Sequence, residues 1–379
     1  MRFRSLAILA MLLSVVLCNV LAAGLQTDSA NSSLSGQWML EKSSGDNVQF
    51  TVRYQHGSES GFHSMSESHS EALSSLKGVD LGALNSSGTK SQFDVVRDAG
   101  TFHCQGWFAN GSASGHWTFA PNAQFASALA QREVGTPDGY QAMRLAMGNG
   151  SLEFVDTLRG AGYHFDVEQL IKTVDHGVSV QYVKGMADLG YKPETLAGLI
   201  KMRDHGVDPV YVKELMAAGL GKMSYDQVIK MRDHGVDAAY MRGLATYGIK
   251  GLSGEQLAQL RDHGVDPEFI SEMQRSGINS STWEWVRLRD HGVDPSFVKA
   301  VHDSGLNATT EELVRLRDHG VDSGFISQVR AAGFKDLSPE SFIELRDHGV
   351  GVDYLKQFGT GRSVHEVVRM HDTGVRASM

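Results

Sequence analysis

Asp204-His205-Gly206-Val207-Asp208 is the stretch on which the reading of this chain turns. It recurs as Asp233-His234-Gly235-Val236-Asp237 and Asp262-His263-Gly264-Val265-Asp266. Two more copies start at Asp290-His291-Gly292 and Asp318-His319-Gly320, and weaker ones at Asp175 and Asp347. The first Asp returns every 28 or 29 residues, so the chain carries a repeat array.

Each repeat decodes as two short helices. The leading helix starts at a Ser or Thr with Gln or Glu three residues on: Ser224/Gln227, Ser253/Gln256, Ser281/Glu284, Thr309/Glu312 and Ser363/Glu366. That is a capping box, which satisfies the free N–H groups of a first turn. Apolar residues follow at helical spacing, and the helix ends at the Gly of Asp-His-Gly, which takes the left-handed conformation at little cost. The Val after it is a buried stop. The second Asp then caps a trailing helix, often with Pro in its first turn, as in Asp208-Pro209, Asp266-Pro267 and Asp294-Pro295. An aromatic-aliphatic pair follows (Tyr211-Val212, Tyr240-Met241, Phe269-Ile270, Phe297-Val298, Phe325-Ile326), and a Gly closes the helix. Helices this short are marginal alone, so they must bury their faces on neighbouring repeats.

Outward from the array, Met147-Gly148-Asn149-Gly150 aligns with Asp-His-Gly-Val as a degenerate first copy. Met370-His371-Asp372-Thr373-Gly374-Val375 is a degraded last one. Upstream, residues 36–121 read as a small antiparallel β domain. Trp38-Met39-Leu40, Val48 to Tyr54 and Phe93 to Arg97 are strand-like, and Thr101–Ala109 and Ser114–Ala120 flank Asn110-Gly111, a strong hairpin signal. Gly57 to Ser70 is polar and reads as a long loop. The expected core is Trp38, Phe50, Phe93, Phe102, Trp107, Trp117 and Phe119 in a sandwich or curved sheet. Residues 122–141 connect the two parts, with a helix over Phe125–Val134, and the array occupies 142–379.

The first 23 residues have the physics of an export signal. Arg2 and Arg4 precede an apolar run from Leu6 to Leu17, and Leu21-Ala22-Ala23 offers small residues for cleavage. Residues 24–35 are a Ser- and Asn-rich linker. The expected location is periplasmic or extracellular, with an uncleaved N-terminal anchor as the alternative and no membrane insertion once the signal is removed. After cleavage Cys104 is the only cysteine, so no internal disulfide forms. A formal charge of −9 and pI near 6.0 argue against a nucleic-acid surface. The sequons at Asn31, Asn85, Asn110, Asn149, Asn279 and Asn307 matter only in a host that glycosylates exported proteins.

Two patterns invite chemistry. The repeated Asp-His is a ladder of metal-ligand types, but consecutive helical residues point about 100° apart, so one pair does not close a metal site. The structural reading is that His meets the free carbonyls of its helix terminus. Arg203, Arg232, Arg261, Arg289, Arg317 and Arg346 stand before the Asp and are placed to pair with the Asp of the next repeat. His365-Glu366-Val367-Val368-Arg369 falls short of a zinc-protease motif because Arg369 stands where the second His must be. In the β domain, His56, His63, His69, His103 and His116 with Trp107 and Trp117 leave metal binding and sugar stacking open beside plain packing and solvation.

Repeats such as Leu260 to Ile270 (Leu-Arg-Asp-His-Gly-Val-Asp-Pro-Glu-Phe-Ile) resemble those of a group of bacterial extracytoplasmic proteins of unknown function. So does the β segment Phe93 to Pro121, with Arg97-Asp98-Ala99-Gly100-Thr101-Phe102 and Gly115-His116-Trp117-Thr118-Phe119-Ala120-Pro121. Similar regions are appended to membrane metallopeptidases of the β-lactam-sensing antirepressor (BlaR-type) family. The resemblance implies a sensor or interaction part without the peptidase, so no catalytic residue carries over.

The expectation is therefore an α+β chain: a small antiparallel β domain followed by an α-helical, solenoid-like array of short helix pairs. Its expected role is non-enzymatic, as a scaffold or sensor module for a protein or peptide partner, with no cofactor. The alternatives are metal or pH sensing by the Asp-His-Gly ladder, a glycan on the β domain, or a remnant of a metallopeptidase sensor. The expected contact face is built from trailing-helix positions that vary between copies: Lys213, Glu214, Arg242, Glu272, Gln274, Lys299 and Gln328.

Overall fold

The computed structural model describes residues 34–376 apart from 44, 59–60, 80–81 and 83–84. The expected signal at 1–23, most of the expected linker and the last three residues lie outside the described residues. The chain is α+β and divides into two compact units, Met1–Val180 and Gln181–Met379.

The first unit opens with one antiparallel sheet, curled on itself. Its strands are β1 (Ser35–Lys42), β2 (Asn47–Ser58), β3 (Gly61–Ala72), β4 (Leu76–Lys77), β5 (Ser87–Arg97), β6 (Gly100–Ala109) and β7 (Ser112–Pro121), in the order β3-β2-β1-β7-β6-β5-β4. The Asn110-Gly111 turn is formed, with φ of 55° and 83° at the two residues, so β6 and β7 pair from Gly100↔Pro121 to Ala109↔Ser112. Period-two alternation sends Trp38, Leu40, Phe50, Val52, Phe93, Phe102, Phe108, Trp117 and Phe119 to the inner face, all buried. Glycine makes room for the two indoles: a Cβ on Gly106 would lie 2.7 Å from the Trp38 ring, and one on Gly36 2.8 Å from the Trp117 ring. Both indole N–H groups remain satisfied, Trp38 donating to the His116 carbonyl and Trp117 to the Gln37 carbonyl, each at 3.1 Å.

Two expectations fail here. The polar stretch within 57–70 is mostly strand β3, paired along β2 with Phe50 opposite His69 and Val52 opposite Glu67. Trp107 is 60% exposed and lies outside the core, because it shares parity with His103 and Gln105 on the outer face. Cys104 is fully buried, and burial pushes its thiol far above the usual range, as befits an inert packing residue.

Eighteen short helices follow among the described residues, all of nine residues except the seven-residue Val352–Phe358. In the second unit, leading helices such as Tyr225–Asp233, Gly254–Asp262 and Thr282–Asp290 pack on one another in succession. Trailing helices such as Ala238–Thr246, Pro267–Arg275 and Pro295–Asp303 form the companion layer. All five predicted capping boxes are present. At the far end of each leading helix, the Gly206 and Val207 amides donate back to the Arg203 and Met202 carbonyls at 3.0 and 2.9 Å, a Schellman cap with Gly206 at φ 67°. The Val that follows the Gly is wholly buried (Val207, Val265), a side-chain burial of roughly 1.5–3 kcal/mol per repeat. The degenerate first copy keeps the geometry without the glycine. Asn149 takes φ 59° in its place, and the Gly150 amide donates to the Leu145 carbonyl at 2.7 Å.

Candidate functional site

Within the second unit, the consensus side chains are engaged between repeats. His205 donates its Nδ1–H to Asp233 of the next repeat at 2.8 Å. His234 donates to Asp262, His263 to Asp290 and His291 to Asp318, each at 2.6 Å. His319 reaches Asp347 and His348 reaches Asp372, each at 2.8 Å. An ionised carboxylate only accepts, which assigns the proton to Nδ1 in every rung. The imidazole thus faces the next repeat's Asp, where a helix-terminal carbonyl was expected to be its partner.

The arginines work in the opposite direction. Arg232 lies over the Tyr211 ring of the preceding repeat at 4.6 Å, and Arg261 over Tyr240 and Arg289 over Phe269 at 4.9 Å. Arg317 and Arg346 also donate Nε–H to the carbonyls of Gly292 and Gly320, at 2.9 Å. They approach the preceding cap residues Asp294 (3.7 Å) and Asp322 (3.5 Å). The expected pairing of Arg with the next repeat's Asp is replaced by His. Arg and His stand two residues apart at the helix end and so point about 200° apart, one toward each neighbour.

A further row crosses the leading helices. Lys201 pairs with Asp226, Lys230 with Glu255, Arg287 with Glu311 and Arg315 with Glu340. His365 takes Glu344 at 2.9 Å, and Glu366 is used in its capping box, which accounts for both residues of the incomplete zinc-like motif. The row is interrupted once, where Gln259 and Trp283 hold the equivalent positions and Trp283 is 65% exposed. Among the described residues no group of three or more His, Cys, Asp and Glu side chains is placed to hold a metal ion.

Of the seven expected contact residues, Lys213, Glu214, Arg242, Glu272, Lys299 and Gln328 are exposed. Gln274 is different: it is half-buried, and its Nε2 donates to the Tyr247 carbonyl of the preceding repeat at 3.2 Å, so it is a strut. Lys299 also pairs with Asp303 one turn along its own helix. Lys213, Arg242 and Lys299 share one position, the fifth after the cap Asp, on three trailing helices, while the helix between Arg242 and Lys299 has the buried Ser271 there.

The first unit holds a polar cluster that the sequence reading missed. The inner face of edge strand β3 carries Glu67, His69 and Glu71. Tyr54 donates to Glu67 at 3.2 Å, and Arg97 pairs with Glu71 at 2.5 Å. His69 lines a cavity of about 10 Å³ with Phe50, Val52, Val95, Phe102 and Met147, and its buried Nε2 stands 3.8 Å from Glu67, beyond hydrogen-bond reach. That space is the size of about one water molecule. Inward charges of this kind also protect an edge strand from pairing with other chains. Asp175, the first Asp of the weak copy, pairs with Arg144, since Gly148 stands where the preceding His would be.

Among the described residues no helix is long and apolar enough to cross a membrane. No protein-family model and no curated protein matches the chain.

Proposed function

We propose that this is an exported, non-enzymatic scaffold or sensor module whose repeat array binds a protein or peptide. The observation that supports this is a division of labour along each repeat. The recurring His, Asp, Arg, Gly and Val are occupied in holding neighbours together, while six of the seven varying trailing-helix residues, all but Gln274, stand exposed. An array of this type offers an extended face whose side chains change while its backbone does not. Lys213, Arg242 and Lys299 give that face a recurring positive position on a chain of net charge −9, which favours an acidic stretch on the partner.

The test is affinity capture from the exported fraction with the full mature chain and with a triple variant, Lys213→Glu, Arg242→Glu and Lys299→Glu. A partner held by the native chain, lost with the triple variant and released by salt supports the reading. Recovery of nothing above background, or of a partner indifferent to the triple change, overturns it.

A further inference from the structure

We propose that the outer face of the curled sheet binds a neutral, extended polysaccharide laid across strands β5, β6, β7 and β1. The proposal is independent of what the array binds. Strand register places Gln92 opposite Gln105, Gln105 opposite His116, and His116 opposite Gln37. All four share the outward parity and are exposed. They therefore form one straight row that crosses four adjacent strands at a spacing of about 4.8 Å. Two residues along β6 from Gln105, about 7 Å away on the same face, stands Trp107. It lies opposite Lys90 and Ser114, and Ser114 in turn lies opposite Met39.

The hydrogen-bonding groups of that row are unspent. Among the described residues, the side chains of Gln92, Gln105, His116 and Gln37 make no hydrogen bond. Elsewhere on the same face the polar groups are engaged: Gln49 donates to Ser68 at 2.6 Å, Thr51 lies 2.8 Å from Ser68, and His103 lies 2.8 Å from Asp94. Each amide offers both donors and an acceptor, and the imidazole adds one of each. A sugar hydroxyl needs that mixture. The exposed indole supplies the complement, a broad apolar ring with a polar edge for the C–H face of a pyranose. The packing of the core does not explain Trp107, since Trp38 and Trp117 fill the inner side.

Two properties of the face select the ligand class. The row itself carries no carboxylate, lysine or arginine: Arg53 lies beyond Gln37, Lys90 flanks Gln92 on one side, and Asp94 on the other side is paired with His103, which suits a neutral chain. Strands β6, β7 and β1 are paired on both sides, so a peptide cannot add as a strand there. A ribbon-like glycan can lie on a sheet face and meet one polar side chain per strand.

The test uses the full mature chain with cello- and chito-oligosaccharides, followed by tryptophan fluorescence, and sedimentation with insoluble cellulose and chitin. The expected result is saturable binding to a longer oligosaccharide with a fluorescence change. Trp107→Ala should weaken it by about ten-fold or more. Gln105→Ala and His116→Ala should each weaken it several-fold, with unchanged melting temperatures. The charge-reversed array variant should bind glycan as the native chain does, which separates this site from the array's partner. Absence of binding to every one of these glycans overturns the proposal. So does binding that none of the three sheet variants weakens, or a Trp107-dependent self-association that shows the face to be occupied by a second copy.

Discussion

Tyr211 and Tyr240 donate their hydroxyls to the carbonyls of Val236 and Val265 in the next repeat, each at 2.7 Å and buried. The following repeats have Phe269, Phe297 and Phe325 at this position and lack that bond. The array therefore contains its own comparison. Tyr240→Phe should cost about 1 kcal/mol in a denaturant midpoint, the net worth of a typical hydrogen bond. Phe269→Tyr should return a similar amount by reaching the Val293 carbonyl. If both changes leave the midpoint where it was, the hydroxyl contributes nothing to the coupling of repeats. Burial, working against the nearby arginines, also pushes both phenols above their ordinary value of 10.0. Folding then favours the protonated phenol. That contribution is complete below pH 10 and is lost as pH rises above it, so Tyr240→Phe should flatten the alkaline fall in stability.

At the scale of the element, the leading helices differ in how their capping boxes are closed. In the second unit Gln227 and Gln256 close two of them, while Glu284, Glu312 and Glu366 close three. The backbone N–H groups of Ser281, Thr309 and Ser363 hold those three carboxyls below their ordinary 4.5. A depressed carboxyl lends stability above its unfolded value, and that stability disappears as pH falls through the folded one. Thermal melts from pH 6 to 3 should therefore show a loss beginning near pH 4.5. Replacing Glu284, Glu312 and Glu366 by Gln, the residue other repeats already use, should make the loss shallower. An identical acid profile in the triple Gln variant would mean that the boxes do not set it. These boxes were legible in the sequence because both partners lie within four residues, as do the Asp caps and Gly stops. The misread elements depend on distant partners. Strand β3 sets Ser66, Ser68 and Ser70 outward against Glu67, His69 and Glu71 inward, so its period of two has no apolar face to announce it. Trp107 looked like core because its parity depends on the register of the whole hairpin. Which neighbour Arg and His would each reach depended on how repeats stack, which the local pattern does not encode.

For the whole molecule, the decisive property is that contacts in the array join neighbouring repeats in a fixed pattern. His234 needs only an Asp one repeat on, and Arg289 only an aromatic ring one repeat back. Nothing in that pattern refers to absolute position between Asp204 and Asp347. Removing residues 262–289 would join Arg261 to Asp290 and leave a continuous array one repeat shorter. In the joined chain His234 would face Asp290, Arg261 would still cover Tyr240, and the Tyr240 hydroxyl would meet the Val293 carbonyl. Stability in such an array is close to a sum of repeat and nearest-neighbour terms. The deletion variant should therefore fold cooperatively, lose helical signal in proportion to the two helices removed, and unfold with a smaller denaturant slope because less surface is exposed. The expected midpoint is lower but distinct. A second deletion of one repeat in a shifted frame, removing residues 248–276, is the companion to the first. It joins Tyr247 to Gly277, which takes the place of Gly248 at the end of the trailing helix, and so preserves the alternation of leading and trailing helices. Both deletions should fold if the repeat is the unit of construction. Removing residues 254–267 instead takes out one leading helix alone and sets two trailing helices in succession, and this variant should fail to fold. If the half-repeat deletion proved as stable as the two whole-repeat deletions, the neighbour-to-neighbour account of the array would be wrong.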